Sequence, residues 1–418
     1  METIQWFIFM LAGTVAMPIV IGAIYEMSFI EIAGLMQRCL FVIGVASLLQ
    51  ALFGHRLPIM EGPAGIWISV FAVMAFSGTQ NGASFGETLR ILETTMILTG
   101  VFLCLLGFLK ISHKILPIFT PLVTGTFFLL LTVQLSGTFL QGMLGLQGGS
   151  NTIQLSEATL AFFTLFIILG LSSFGRGWLG NYAVLIGIVI GWIAYIFIIG
   201  GQDYVSSSQV FTVPEWLAFG IPAFDLSVIP IAFITAIIII SNAVASIVAA
   251  NQILEKEPND RNKQMNQGIA FSGISHILSG GFAAIGNVPL TTSTGFIALT
   301  GQKRKMPFIY ASILLIIIAF FPPIIAFISS IPSPIANAAL MATFVQLVGV
   351  AIHNLSRVKL DSRTITIIGI AYLIGMGTMF LPTEVFAGLP SIVQNVLSNG
   401  LLVGTGLVML MEQLWKQT

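Results

Sequence analysis

The sequence predicts an all-α polytopic membrane protein of about fourteen spans. They form two seven-span halves of opposite orientation, an inverted repeat, with short broken segments in the third and tenth spans. Three observations carry this. Hydrophobic residues make up 56% of the 418-residue chain and charged residues 8%, with a mean hydropathy of +1.00, whereas a soluble domain carries roughly 25% charge. Basic residues collect on one side of the counted spans. Two polar, Gly/Pro-interrupted segments stand at the same place in the two halves.

Apolar runs place the spans at roughly 4–25, 31–53, 63–77, 89–109, 119–139, 158–174, 181–200, 228–252, 266–284, 293–300, 307–330, 334–353, 363–380 and 386–413. The first, IQWFIFMLAGTVAMPIVIGAIY, has no basic start and no small-residue cleavage site, so it reads as a membrane helix and not a removable signal. With the N-terminus cytoplasmic, the segments after even-numbered spans hold Arg56, Lys110, Lys114, Arg176, Lys256, Arg261, Lys263, Lys303, Arg304, Lys305, Arg357, Lys359, Arg363 and Lys416. Of the 16 basic residues, only Arg38 and Arg90 lie elsewhere. Basic residues resist translocation, so the asymmetry supports the count and puts both termini in the cytoplasm.

The two short segments are LPIMEGPAGIWISVF in span 3 and GNVPLTTSTGFIALTG in span 10. Seven spans is an odd number, so halves that repeat after seven must be inverted. Gly62 and Pro63 break the first segment, and Pro289 and Gly295 bracket the break in the second. Lipid cannot satisfy the backbone groups that a break exposes, so both must be buried in protein or line a cavity. Matched breaks in two halves are the best sequence pointer to a transporter's binding site. Short helices starting near mid-membrane would aim N-terminal amides at whatever lies between them. A fainter echo of the repeat places a proline before a small-residue helix in IFTPLVTGTFF and IPSPIANAALMATF.

Other classes have no support. Net charge is zero and no basic face is seen, which argues against nucleic-acid binding. Cys39 and Cys104 sit in apolar runs with no disulfide or metal spacing, and His55, His113, His276 and His353 form no ligand cluster. No cofactor, metal or nucleophile–base pair is expected, and the chain is not read as an enzyme. The lipid bilayer is the expected surround.

Further stretches bear a family resemblance: MLAGTVAMPIVIG in span 1, RLPIMEGPAGIWIS in span 3, IFTPLVTG before span 5, GRGWLGNYAVLIGIVIG across spans 6–7, and GGFAAIGNVPLTTSTGFIALTG across spans 9–10. In order and spacing they resemble the nucleobase–ascorbate transporter family, which includes bacterial uracil, xanthine and purine permeases. The resemblance implies proton symport of a nucleobase across the plasma membrane. It also implies a core domain (1–110 and 226–330) that moves against a gate domain (111–225 and 331–418), and short extended pieces that break spans 3 and 10 and pair at mid-membrane. A homodimer is a further expectation.

Carried over residue by residue, the resemblance makes Asn242 the counterpart of the family's span-8 glutamate and Ser246 that of a histidine one turn later. Gly65 matches an aromatic contact and Gly13 a span-1 contact. Thr292-Ser293-Thr294-Gly295 matches a Glu/Gln-Asn-x-Gly pattern, so the family's span-10 acid or amide is absent. Ala64 and Thr291 complete the expected substrate contacts.

Read on its own, Asn242 offers a donor and an acceptor that match a base edge, or an interhelical hydrogen bond. The hydroxyls of Thr291, Thr292 and Ser293 could serve a ligand or satisfy local backbone. Glu61, an ionisable residue inside a span, is the candidate proton carrier. The bland alternative pairs it with a basic residue or with backbone amides. Glu93, in the outer half of span 4, is expected to snorkel.

A competing class is a sulfate-permease-type anion transporter or channel. An ionised Glu61 would repel an anion, and the chain ends at Thr418 without the cytoplasmic domain such proteins usually append. A membrane scaffold would not need matched polar breaks.

Overall fold

Cap chemistry starts the helices where the apolar runs begin. The computed structural model describes residues 2–80, 82–110, 120–146, 152–200, 209–226, 228–255, 261–386, 389, 397 and 400–415. α1 (Glu2–Ile24) is followed by α2 (Phe29–Leu52), which opens on a capping box: Glu31 N donates to Ser28 Oγ, and Ser28 N donates to the Glu31 carboxylate at 2.7 Å. Ser84 and Glu87 repeat the device at α4 (Phe85–Phe108). Between them lie β1 (Glu61–Pro63) and α3 (Gly65–Gln80). α5 (Pro121–Met143) begins on a proline under a Thr120 cap, where the missing N–H costs nothing. α6 (Leu155–Phe174), the short α7 (Trp178–Asn181) and α8 (Ala183–Ile198) end this half.

The second half runs α9 (Val228–Leu254), α10 (Arg261–Gly281), β2 (Asn287–Pro289), α11 (Thr292–Thr300), α12 (Lys305–Ile318) and α13 (Pro322–Ser329). It ends with α14 (Ser333–Ser356), α15 (Ser362–Met379) and α16 (Gly400–Leu414). α14, like α5, carries a proline in its first turn.

Among the described residues, eight helices are long and apolar enough to cross a membrane, or nine if the bent pair α12–α13 is one span. Of the other expected spans, α3, α8, α11 and α16 are short, and α10 is rich in polar residues. Parts of the expected fifth and fourteenth spans, and the basic residues Lys114, Lys256 and Lys416, lie outside the described residues. The eleventh span is a correction. Expected as one helix over 307–330, it bends by 95° between α12 and α13, because Pro322 and Pro323 cannot continue a helix's hydrogen bonds.

Packing pairs the helices in matched sets. α4 lies on α10 and α2 on α12; α9 lies on α4 and α1 on α12; α6 packs on α8 and α15 on α16. Each pair in a set becomes the other when seven spans are added or subtracted. α4 and α10 meet through small residues: a Cβ on Gly100 would stand 2.6 Å from the Gly273 carbonyl oxygen, and one on Gly107 2.5 Å from the Ala270 nitrogen. Such contacts let two backbones approach within lipid, where dispersion and not water exclusion drives helix association.

Glu93 on α4 is a second correction. It does not snorkel but is fully buried, with Phe219 N 3.4 Å from Oε1. The guanidinium of Arg38 lies nearby, over the Phe219 ring at 5.3 Å. The carboxylate has turned inward to the segment after α8, a contact that sequence separation hides.

Candidate functional site

β1 and β2 form a two-stranded antiparallel sheet with Glu61 opposite Pro289, Gly62 opposite Val288 and Pro63 opposite Asn287. All six residues are buried. The pairing continues at both ends, where Ala64 N donates to Gly286 O at 3.0 Å and Leu290 N to Met60 O at 2.9 Å. Pro63 and Pro289 have no N–H to satisfy, so a short ladder accounts for most of the backbone groups that the breaks expose. Close approach demands small residues here. A Cβ on Gly62 would collide with Leu290, and one on Gly286 with the Trp67 indole.

Side chains lock the ladder in place. Ser293 Oγ accepts from Met60 N at 3.0 Å. Ser246 Oγ donates to Pro289 O at 2.7 Å and lies 2.9 Å from Thr291 Oγ1, tying α9 to the second break. Thr294 Oγ1 donates to Thr291 O at 2.6 Å. Trp67 Nε1 donates to His276 Nε2 at 3.0 Å, and His276 Nδ1 faces Ser272 O at 2.8 Å. Nε2 therefore accepts while Nδ1–H donates, the pattern of a neutral imidazole.

Glu61 sits behind this ladder. Its N–H donates to Ser47 Oγ on α2 at 3.0 Å. Its carboxylate is fully buried, and among the described residues neither oxygen has a hydrogen-bond partner. His55, also fully buried, faces it with Nε2 3.9 Å from Oε1. Sequence reading found no cluster among the histidines and missed this neighbour. The available signal was local, since His55 precedes Glu61 by six residues in GHRLPIME.

The structure gathers most of the expected site residues around the ladder. Gly62, Pro63, Ala64, Pro289, Thr291 and Ser293 belong to it or bond to it, and Ser246 reaches it from α9. Gly13 touches it from α1, since a Cβ there would lie 3.3 Å from Met60 Cε. Thr291, Thr292, Gly295 and Gly13 are exposed, whereas Ser293 and Ser246 are buried. Gly65 opens α3 towards Phe344 and Leu131, on α14 and α5.

Asn242 stands one turn before Ser246 on α9. Among the described residues its amide makes no hydrogen bond. It borders a narrow cleft shared with Ser241, Thr124, Phe127, Phe128 and Thr405. The cleft holds about 10 Å³, room for about one water. Thr405 Oγ1 is buried there and has no hydrogen-bond partner among the described residues. Phe127, Phe128 and Thr405 were not foreseen; the aromatic pair in TGTFFLL, just past the quoted IFTPLVTG, was the available signal.

Comparison with known proteins bears on the fold and on descent. The transmembrane domain of a cyanobacterium bicarbonate transporter, BicA, superposes with a TM-score of 0.66 at 17% identity, covering 97% of both chains. The murine anion transporter Slc26a9, in its inward-facing state, gives 0.69 at 12% identity, covering 100% of this chain and 69% of that one. These likenesses speak for the fold alone.

In sequence, YwdJ of Bacillus subtilis (strain 168), provisionally named a purine permease, is 31% identical over 424 residues, covering 99% of this chain and 96% of YwdJ. The xanthine permease of the same organism is 27% identical, covering 96% of this chain and 90% of its own length. Its uric acid permease PucJ is 26% identical, covering 96% and 89%. The model of the Permease family, Xan_ur_permease, matches residues 1–384. Matched over nearly its whole length, the chain belongs to the Permease family, as its resemblance to the nucleobase permeases implied.

Proposed function

We propose that this chain imports a nucleobase, purine-like or uracil/xanthine-like, across the plasma membrane by proton symport with alternating access. The observation that carries the reading is the paired break. Exposed Thr291 and Thr292 follow its second strand, and Ser246, one turn from Asn242 on α9, bonds to it, in a chain whose relatives bear the names of xanthine and uric acid permeases. Ring edges hydrogen-bond to Asn242 and to the breaks, with Gly13, Ala64, Gly65, Thr291 and Thr292 shaping the pocket. Ser246 and Ser293 hold its frame. Glu61 carries the proton.

The matched packing pairs support fourteen segments in a seven-plus-seven inverted repeat. α1–α4 with α9–α13 then form a core domain, and α5–α8 with α14–α16 a gate. The cleft at Asn242 lies where α9 of the core meets α5 and α16 of the gate, so separating these elements opens it. Cytoplasmic termini, as the basic residues favour, and a homodimer complete the reading. The fold likeness to bicarbonate and anion transporters does not choose the substrate, because the same fold serves unrelated cargoes.

The test is binding of a panel of nucleobases and small anions to the purified protein at two pH values, followed by uptake into proteoliposomes with and without an imposed proton gradient. Base binding and gradient-driven accumulation are expected. Sulfate binding without any base binding overturns the reading.

A further inference from the structure

We infer that His55 and Glu61 hold one exchangeable proton between them, and that this pair, behind β1 and apart from the Asn242 cleft, is the proton-binding unit. The inference rests on the coupled-transport reading above and deepens it by adding a positioning residue for Glu61.

Geometry assigns the roles. His55 Nδ1 accepts from Leu57 N at 3.0 Å, so the neutral ring carries its proton on Nε2. That nitrogen faces Glu61 Oε1 at 3.9 Å, and both residues are fully buried. Among the described residues, Nε2 and both carboxylate oxygens have no hydrogen-bond partner. The His55 backbone is held on both sides: its N–H donates to Gln50 Oε1 at 3.2 Å, and its carbonyl accepts from Gln264 Nε2 at 2.9 Å. A Cβ on Gly268 would lie 3.3 Å from His55 Cβ, which leaves the backbone little room to shift.

Charge counting then gives a switch. With one proton on Glu61, or with a carboxylate beside an imidazolium, the pair is neutral. With that proton gone it carries one negative charge on two fully buried side chains, where an uncompensated charge is unfavourable. The closed pocket therefore retains the proton, and release requires β1 to move or water to enter. β1 also joins the two sites, because Ala64 and Gly65, beside the proposed substrate position, follow directly on the strand that begins with Glu61. Base binding that shifts β1 changes the 3.9 Å separation directly.

Other charged groups on the neighbouring elements are engaged or distant. On α2, Arg38 donates to Ala283 O, Cys39 accepts from Ile285 N and Glu31 caps the first turn. On α10, His276 bonds Trp67 and Ser272, while Arg261 and Lys263 are exposed. α1 carries Glu2 at its exposed start; α9 and β2 carry no charged residue. Lys305 donates to Ala51 O, and Arg56 is exposed.

The test compares wild type, Glu61→Gln, His55→Gln and the double variant for base uptake across pH in proteoliposomes, with base affinity measured separately. His55→Gln is expected to move the pH of half-maximal uptake by about one unit or more, with base affinity changed less than about threefold. The double variant should match Glu61→Gln. A wild-type pH profile in His55→Gln, alongside uncoupling in Glu61→Gln, overturns the pair and leaves Glu61 as a lone carrier. Proton-driven accumulation in Glu61→Gln overturns the pair and removes Glu61 as the carrier, whereas wild type that fails to accumulate base under an imposed proton gradient overturns the coupled-transport reading itself. If His55→Gln does not fold, His55→Asn replaces it, and wild type with isotope-labelled histidine is followed by NMR. A His55 ring signal that stays fixed across the pH range of coupling refutes the pair.

Discussion

Glu61 and Asn287 occupy matching corners of the strand pair. Each opens its strand, each is fully buried, and each meets a serine on the flanking helix: Glu61 N donates to Ser47 Oγ on α2, and Asn287 Oδ1 accepts from Ser275 Oγ on α10. The two breaks are finished differently. Around β2, hydroxyls close the structure: Ser246 on Pro289 O, Ser293 on Met60 N and Thr294 on Thr291 O. Around β1, a carboxylate has only a histidine 3.9 Å away. A buried polar group left unsatisfied costs about 1–3 kcal/mol, and more when charged. Among the described residues both breaks bear such a cost, on an ionisable carboxylate at β1 and on the Asn287 amide nitrogen, which does not ionise, at β2. One break is thus mainly scaffold, while the other keeps a group that can change state.

The strongest way to break this contrast is Glu61→Gln. Uptake should lose its pH dependence and its ability to accumulate base against a gradient, while equilibrium exchange of labelled base persists. Concentrative uptake at the wild-type level would erase the distinction between the breaks.

Asn287→Ala probes the scaffold side. Losing the Ser275 bond should lower stability by about 1–3 kcal/mol, read as a fall in thermal transition temperature in detergent. The pH midpoint of uptake in the folded fraction should stay in place. A shift as large as that of a Glu61 variant would make the two corners functional equals.

Asn242→Ala should weaken base binding about tenfold, or about 1.4 kcal/mol. The transition temperature should hold, since that amide bonds nothing among the described residues. Intact base affinity would remove Asn242 from the site.

The smallest effect is expected of Ser246→Ala. Its hydroxyl is committed to Pro289 O and Thr291, so stability should fall by about 0.5–1.5 kcal/mol with base selectivity unchanged. A change in which bases compete for uptake would show that the hydroxyl also touches substrate.

Much of this architecture was legible in the chain. Pro63 and Pro289 lack N–H groups, and Gly62 and Gly65 lack side chains, so the breaks announce themselves by what a helix cannot tolerate. Less was legible where contact across the fold decides. FFPPII reads as one apolar run, and hydropathy does not register that its prolines turn α12 into α13 by 95°. Glu93 reads as a snorkelling side chain until Phe219 appears beside it. Ser246 reads as a ligand contact until Pro289 takes its hydroxyl.

By itself the sequence determined a membrane class, two polar breaks and a carboxylate within one of them, because hydropathy, charge placement and the chemistry of proline and glycine act locally along the chain. Only the tertiary structure decided what each polar group faces. The Glu61↔Pro289 register, the lone amide of Asn242 against α5 and α16, and the 3.9 Å gap between His55 and Glu61 come from packing between distant segments. In a low-dielectric interior, such placement determines whether a polar group is satisfied or left free to act.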